Sequence, residues 1–298
     1  MTVVGEGQGT RIGGATRTAG VIGWPVSGSL SPTIHNAAFE AMGLDWVYVA
    51  LPVPPGALPQ ALAGLAALGF AGANVTMPHK TESADLIGDL SEDAERLRSV
   101  NTIVCAPNGL RGHNTDAPGF GRFLRGDAGF DPAGRTALLY GAGGAARACA
   151  LSLARDGLAT LTVAVRAPAR ADGVRATLEG LATRLTVVAF DAAPGHPVDL
   201  LVNATPLGAE GEALPLPPLG PDTMVVDLLY RPSVTPLLVA ARGAGATAFG
   251  GLGLLLHQAA LSFELWTGQA PNLDVMSAAA LAALTEPGPA TPAPPGPP

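Results

Sequence analysis

The 298-residue sequence predicts a two-domain α/β protein. Three observations predict it. From Val21 onward, short apolar runs alternate with helical patterns; from Thr136 a second and more regular series of apolar runs begins; and the two closing helices have no strand after them. Strands that alternate with helices build a parallel sheet covered on both faces. Helices without a following strand are expected to pack back on the first domain, which makes that domain discontinuous. The expected division is 18–117 plus 254–285 for the first domain and 118–253 for the second. Residues 1–17, rich in Gly and Thr, and 286–298, rich in Pro, are expected to be flexible tails.

In the first domain, 21–24 reads as a strand. Ser31 as N-cap and Pro32 in the first turn then open a helix that Gly43 stops. Residues 45–51 read as a strand, 57–68 as a helix and 71–76 as a strand, and Pro78 starts a further helix. Residues 101–106 and 110–113 form a β-hairpin about the turn residues Asn108-Gly109. The second series has strands at 136–140, 160–165, 186–190, 199–203, 224–228 and 246–249. The closing helices span 254–267 and 275–284.

Hydrophobic residues make up 48% and charged residues 14%, so a packed core is available and disorder over most of the chain is excluded. The net charge of −7 and the absence of a long basic run argue against nucleic acid or an anionic membrane surface as a partner. Cys105 and Cys149 lack metal-ligand spacing, so neither a disulfide framework nor a metal site is expected. The N-terminus has no apolar signal core, and the most apolar stretch, 57–73, falls short of the roughly 20 residues a span needs. These features predict a soluble, cytoplasmic protein; its expected partner is a small-molecule substrate, and its expected assembly a monomer or homodimer.

The run 136–140 leads at once into Gly141-Ala142-Gly143-Gly144-Ala145-Ala146 and an alanine-rich helix ending near Gly157. A strand, a glycine turn and a helix in this order bring backbone N–H groups against a pyrophosphate, and a Cβ in the turn would hold the phosphates off. A Rossmann domain for a dinucleotide follows. At the end of the next strand an NAD site would carry an acid for the ribose 2′-hydroxyl. This chain has Arg166 there and Arg170 four residues on. Guanidinium groups suit a 2′-phosphate, which selects NADP.

Four polar clusters lie at predicted strand ends or helix starts, where α/β proteins gather ligand groups. They are Ser29-Leu30-Ser31-Pro32, Asn74 to Lys80 (NVTMPHK), Ser99 to Thr102 (SVNT) and Asn114-Thr115-Asp116. Later stand Asn203 to Gly208 (NATPLG), Asp227 to Tyr230 (DLLY) and Gly251 to Gln258 (GLGLLLHQ). In these motifs and their order the chain resembles the shikimate dehydrogenases, from about Val21 to Leu284. It departs from that pattern at Gly28, Ser99, His113, Val165, Ala167, Ala209 and Leu254, none of which removes a catalytic group.

The resemblance implies that Ser29 and Ser31 bind a substrate carboxylate. It implies that Asn74, Thr76, Asn101, Asp116 and Gln258 bind ring hydroxyls with Tyr230 close by, and that Lys80 and Asp116 are the catalytic pair. It places backbone around Leu228 and Gly251 at the nicotinamide end of NADP. The implied reaction is reversible NADPH-dependent reduction of 3-dehydroshikimate to shikimate, a step of aromatic amino-acid precursor synthesis, in a cleft between the domains.

The chemistry of these residue types agrees. Oxidising a secondary alcohol sends a hydride to nicotinamide and a proton to a base. A lysine beside a carboxylate can carry that proton and steady the alkoxide-like transition state without a metal. Hydroxyls and amides pair with the neutral OH groups of a ring and reject analogues lacking them. The alternatives are quinate or aminoshikimate dehydrogenase activity, or an NADP and metabolite sensor without turnover. The Ser29/Ser31 pair favours shikimate, because quinate's extra hydroxyl needs room beside its carboxylate.

Overall fold

The computed structural model describes residues 12–192 and 195–285. Residues 1–11 of the tail expected at 1–17, and the whole tail expected at 286–298, lie outside the described residues. Two compact units emerge, one of residues up to Ser91, 100–113 and Ala259 onward, the other of 92–99 and 114–258.

The first unit begins with β1 (Arg17–Gly23), α1 (Ser31–Ala41), β2 (Trp46–Pro52), α2 (Leu58–Ala67), β3 (Gly72–Val75), α3 (Lys80–Leu86) and β4 (Asp89–Leu90). After α4 (Glu92–Leu97), which belongs to the second unit, come β5 (Thr102–Ala106) and β6 (Gly109–His113). The strand order is β2-β1-β3-β5-β6-β4. β1 runs parallel to both β2 and β3, whereas β5 is antiparallel to β3 and β6. Asn36 on α1 ties the helix to the edge strand. Its amide donates to the Tyr48 carbonyl (2.9 Å) and accepts from the Tyr48 N–H (2.8 Å).

Several local expectations shift. β1 starts at Arg17, paired with Trp46, so residue 17 is strand rather than tail. Ser31 is not the N-cap of α1: Leu30 holds that position, and the Ser29 hydroxyl accepts the Ser31 N–H (3.2 Å). In a Ser-x-Ser-Pro start the first serine reaches the exposed helix donors, so the second falls inside the helix. α3 begins at Lys80 rather than Pro78, because a turn from Thr76 to His79 (His79 N to Thr76 O, 3.0 Å) comes first. The hairpin turn is Pro107-Asn108, since Gly109 already pairs with Ala106 at φ +127°.

In the second unit the elements are α5 (Asp116–Gly126), β7 (Thr136–Tyr140), α6 (Gly144–Arg155), β8 (Thr160–Val165), α7 (Asp172–Leu178) and β9 (Arg184–Ala189). They continue with β10 (Leu200–Asn203), β11 (Met224–Asp227), α8 (Pro236–Gly243), β12 (Thr247–Phe249) and the first turns of α9 (Leu252–Thr267). The strands are all parallel, in the order β12-β11-β10-β7-β8-β9. Strand order reverses between β7 and β10, the place where open parallel sheets bind ligands beyond their carboxyl ends. α6 buries Ala146, Cys149, Ala150 and Leu153 against the sheet. Gly253 lies so near Phe123 that an added Cβ would stand 2.2 Å from its ring.

The expected return of the closing helices is observed within the first unit, where α10 (Leu273–Thr285) packs on α1. Among the described residues no helix is long and apolar enough to cross a membrane, and no group of three or more His, Cys, Asp or Glu could hold a metal ion.

Candidate active site

In the first unit, Ser29 and Ser31 lie at the start of α1, with Ser31 buried. The chain then brings β3 and β5 side by side, so Asn74 pairs with Thr102. Asn74 sits 6% exposed with its carbonyl accepting from the Tyr48 hydroxyl (2.7 Å). Its amide nitrogen lies within reach of the Asn101 carbonyl (3.1 Å), the Thr102 hydroxyl (3.1 Å) and the Ser262 hydroxyl (2.9 Å). Burial raises the Tyr48 phenol well above its ordinary value, opposed in part by a hydrogen bond with Ser31.

Lys80 follows the β3 end at the first residue of α3 and is half-buried. Its carbonyl accepts the Val100 N–H (2.9 Å), which fastens the lysine backbone next to Asn101. His79 is buried and donates its Nε2–H to the Val53 carbonyl (2.7 Å), so the turn into α3 is held from both sides. Thr76 is half-buried and packs over Gly23, where an added Cβ would stand 2.4 Å from its methyl group. The first unit thus ties Asn74 to the Asn101 backbone and the start of α3 at Lys80 to the neighbouring Val100.

In the second unit, Asp116 is the first residue of α5 and is 7% exposed. The Asn114 carbonyl oxygen accepts the Asp116 N–H (3.1 Å) while the Asn114 amide donates to the Ser99 carbonyl (2.9 Å). Asn114 therefore sets where the aspartate side chain starts, a role that the NTD motif alone did not disclose. Gln258 on α9 is half-buried and donates to the Leu255 carbonyl (2.8 Å).

The glycine turn leaves β7 at Gly141, whose φ is +105°. A Cβ there would stand 3.0 Å from the Ala204 carbonyl oxygen, so the turn hugs the end of β10. Gly143 precedes α6 with no side-chain cap, and among the described residues nothing lies within 4 Å of the Cβ it lacks. With Gly144 and Ala145 in the first turn of α6 and no acid among them, the free N–H groups and open space fit a pyrophosphate beside Ala142. Arg166 and Arg170 follow β8 and are exposed. Asp172, the acid that follows, is 3.8 Å from Arg175. This donor set fits a dinucleotide with a phosphorylated ribose.

β11 ends in a buried hub that the local sequence does not reveal. The Asp227 carboxylate accepts from Asn203 (3.0 Å), the Thr235 hydroxyl (2.6 Å) and the Leu229 N–H (3.2 Å). Burial raises the Asp227 carboxyl, opposed by those hydrogen bonds. The hub fixes the turn that carries Leu228 and Tyr230. Gly251 then packs on Leu228 so tightly that an added Cβ would stand 2.0 Å from its carbonyl oxygen. Tyr230 is half-buried, and its phenol is raised by burial. Asn203 and Asp227 both lie in recognised motifs, but their partnership across two strands carries no local signal.

Two family models match the chain. They are the shikimate dehydrogenase substrate binding domain over residues 21–103 and the shikimate 5'-dehydrogenase C-terminal domain over 251–281. A shikimate dehydrogenase (NADP(+)) of Citrifermentans bemidjiense is 44% identical over 93% of this chain and 99% of its own length. One from Rubrobacter xylanophilus is 47% identical over 89% and 96%. A crystal structure of shikimate 5-dehydrogenase from Thermus thermophilus with NADP(H) and shikimate superimposes with a TM-score of 0.81 at 37% identity, over 89% of this chain and 99% of that one. The chain belongs to the shikimate dehydrogenase family.

Proposed function

We propose that this chain is an NADP-dependent shikimate dehydrogenase that interconverts 3-dehydroshikimate and shikimate in the cytoplasm, as a monomer or homodimer. The observation that carries the reading is the uncapped, acid-free start of α6 behind Gly143, followed after β8 by Arg166 and Arg170 in place of an acid. Identity to NADP-dependent relatives over nearly their whole length supports it.

NADP supplies a hydride acceptor or donor when bound. The chain supplies the rest. In the oxidising direction the Lys80 amine hydrogen-bonds the reacting hydroxyl and takes its proton, and in reduction the ammonium returns it. The Asp116 carboxylate accepts from a ring hydroxyl. Ser29 and Ser31 donate to the substrate carboxylate, and Asn74, Thr76, Asn101 and Gln258 bind the ring hydroxyls, with Tyr230 close by. Leu228 and Gly251 line the nicotinamide end of the cofactor with backbone. In this reading 18–117 with 254–285 form the substrate domain and 118–253 the cofactor domain.

The test is a matrix of steady-state rates for shikimate and quinate, each with NADP+ and NAD+. Shikimate with NADP+ is expected to give the highest kcat/KM, and Lys80→Ala to lose turnover while still binding NADP+. A higher kcat/KM for quinate with NAD+ sinks the substrate assignment. Binding of both ligands without turnover by the wild-type protein makes it a sensor instead.

A further inference from the structure

We infer that Thr235, acting through the Asp227 carboxylate, is a positioning residue for the backbone turn that meets the nicotinamide end of NADP. The inference rests on the dehydrogenase reading above, which puts Leu228 and Gly251 at that end. It adds a residue eight positions beyond Asp227 and outside the DLLY motif.

Backbone groups fix the direction of the hydrogen bonds in this hub. The Asn203 side-chain oxygen accepts the Thr205 N–H (3.0 Å), and its nitrogen donates to the Leu207 carbonyl (3.0 Å). The amide therefore cannot be turned over without setting N–H against N–H. Its other N–H donates to one Asp227 oxygen (3.0 Å), which the Leu229 N–H also reaches (3.2 Å). The Thr235 hydroxyl accepts the Leu238 N–H (3.3 Å) and gives its own hydrogen to the second Asp227 oxygen (2.6 Å). An ionised Asp227 thus meets donors on both oxygens, and Asn203, Asp227 and Thr235 are all fully buried. Burial raises the Asp227 carboxyl, and among the hydrogen bonds that oppose this, the one from Thr235 is the largest.

The hub grips the turn at consecutive backbone groups. The Leu228 N–H donates to the Asn203 carbonyl (2.9 Å), the Leu229 N–H to the Asp227 carboxylate, and the Leu229 carbonyl accepts the Gly251 N–H (3.0 Å). Leu228 and Gly251 are held together by this clamp, with no room for a side chain between them. Thr235 is also the N-cap of α8, so one hydroxyl serves both the helix start and the turn. Without that hydroxyl, one oxygen of a buried carboxylate has no donor, and the 227–229 turn must shift to supply one. The cofactor's nicotinamide end then meets a displaced backbone, while the Arg166 and Arg170 end of the site is untouched.

The experiment titrates the full-length protein with NADP+ and, separately, with adenosine 2′,5′-bisphosphate, with Tm recorded for each variant. The bisphosphate carries the phosphorylated ribose but no nicotinamide. Thr235→Val keeps the shape and removes the hydroxyl. It is expected to raise the NADP+ Kd about five- to twentyfold and to leave the bisphosphate Kd within about twofold of wild type. Thr235→Ser restores the hydroxyl and should bring the NADP+ Kd back to within about twofold. Should Thr235→Val not fold, Asp227→Asn decides by the same two constants, since it presents one oxygen where the donors need two. The inference is overturned if the folded variant binds NADP+ like wild type, if it weakens both ligands alike, or if Thr235→Ser is as impaired as Thr235→Val. It is overturned too if neither variant folds, because the hub then holds the domain rather than the turn. A wild type that does not bind NADP+ overturns the cofactor reading itself, and the role of Thr235 falls with it.

Discussion

Trp266 reaches over Gly72 to donate its indole N–H to the Ile103 carbonyl at 2.9 Å. The space that permits this is the missing side chain of Gly72, where an added Cβ would stand 2.3 Å from the indole nitrogen and 2.1 Å from the Ile103 oxygen. The contact fastens α9 to the β3–β5 pair that carries Asn74 and Thr102.

Gly72→Ala should therefore displace the indole and orphan a buried carbonyl. The expected loss is about 3 kcal/mol of unfolding free energy, read by urea denaturation. An effect below about 0.5 kcal/mol, the range of ordinary surface substitutions, would show that the helix and sheet separate at little cost.

Two glycines of the cofactor turn should behave differently. Gly141 has φ +105° and a close carbonyl, so Gly141→Ala is expected to lower Tm. Gly143 has extended backbone, φ −72° and ψ −172°, and open space around it. Gly143→Ala should keep Tm and raise the NADP+ KM, because the new methyl occupies the approach to the α6 N-terminus. A Gly143→Ala protein with unaltered cofactor affinity would place the phosphates elsewhere.

Arg166 and Arg170 are exposed, so their removal should leave folding intact. The double change to Ser is expected to raise the NADP+ KM by about tenfold or more, with little effect on NAD+. Equal losses with both cofactors would mean that the arginines do not read the 2′-phosphate.

His35 is fully buried and stacked on Tyr48 with ring centroids 4.4 Å apart. Burial lowers its pKa from the ordinary 6.5 to about 3. Below pH 6.5 the unfolded chain takes up a proton that the folded chain refuses, so acid favours unfolding until pH approaches about 3. One such proton steepens the loss by up to about 1.4 kcal/mol per pH unit. His35→Leu should flatten that branch of the stability curve, measured by denaturant unfolding across this window. Parallel wild-type and variant curves would mean that His35 titrates alike in both states.

Much of this architecture is written locally. The 136–140 and 160–165 strands appear at their expected bounds because each is a short apolar run with turn residues beyond it. α5 is hidden in the sequence because Pro118, Gly119 and Gly121 interrupt its pattern, although its buried Phe120, Phe123 and Leu124 supply the packing that holds it. α4 is hidden for the opposite reason: its charged run EDAERL shows no apolar stripe, and its Arg155 contacts to Glu92 and Asp93 come from α6. In both, tertiary packing overrode local propensity.

The candidate residues divide in the same way. By itself the sequence determined the fold class, the glycine turn with its two arginines, and the polar clusters around Ser29, Lys80, Asn101 and Asp116. A turn that must expose N–H groups, or a strand end that must present hydroxyls and amides, needs particular residue types at short spacing. Only the tertiary structure decided that Asn74 spends its amide on Asn101, Thr102 and Ser262, that Asp227 joins Asn203 to Thr235, and that Trp266 closes over Gly72. Those bonds link residues far apart in the chain. Their strength comes from burial that no single segment can supply.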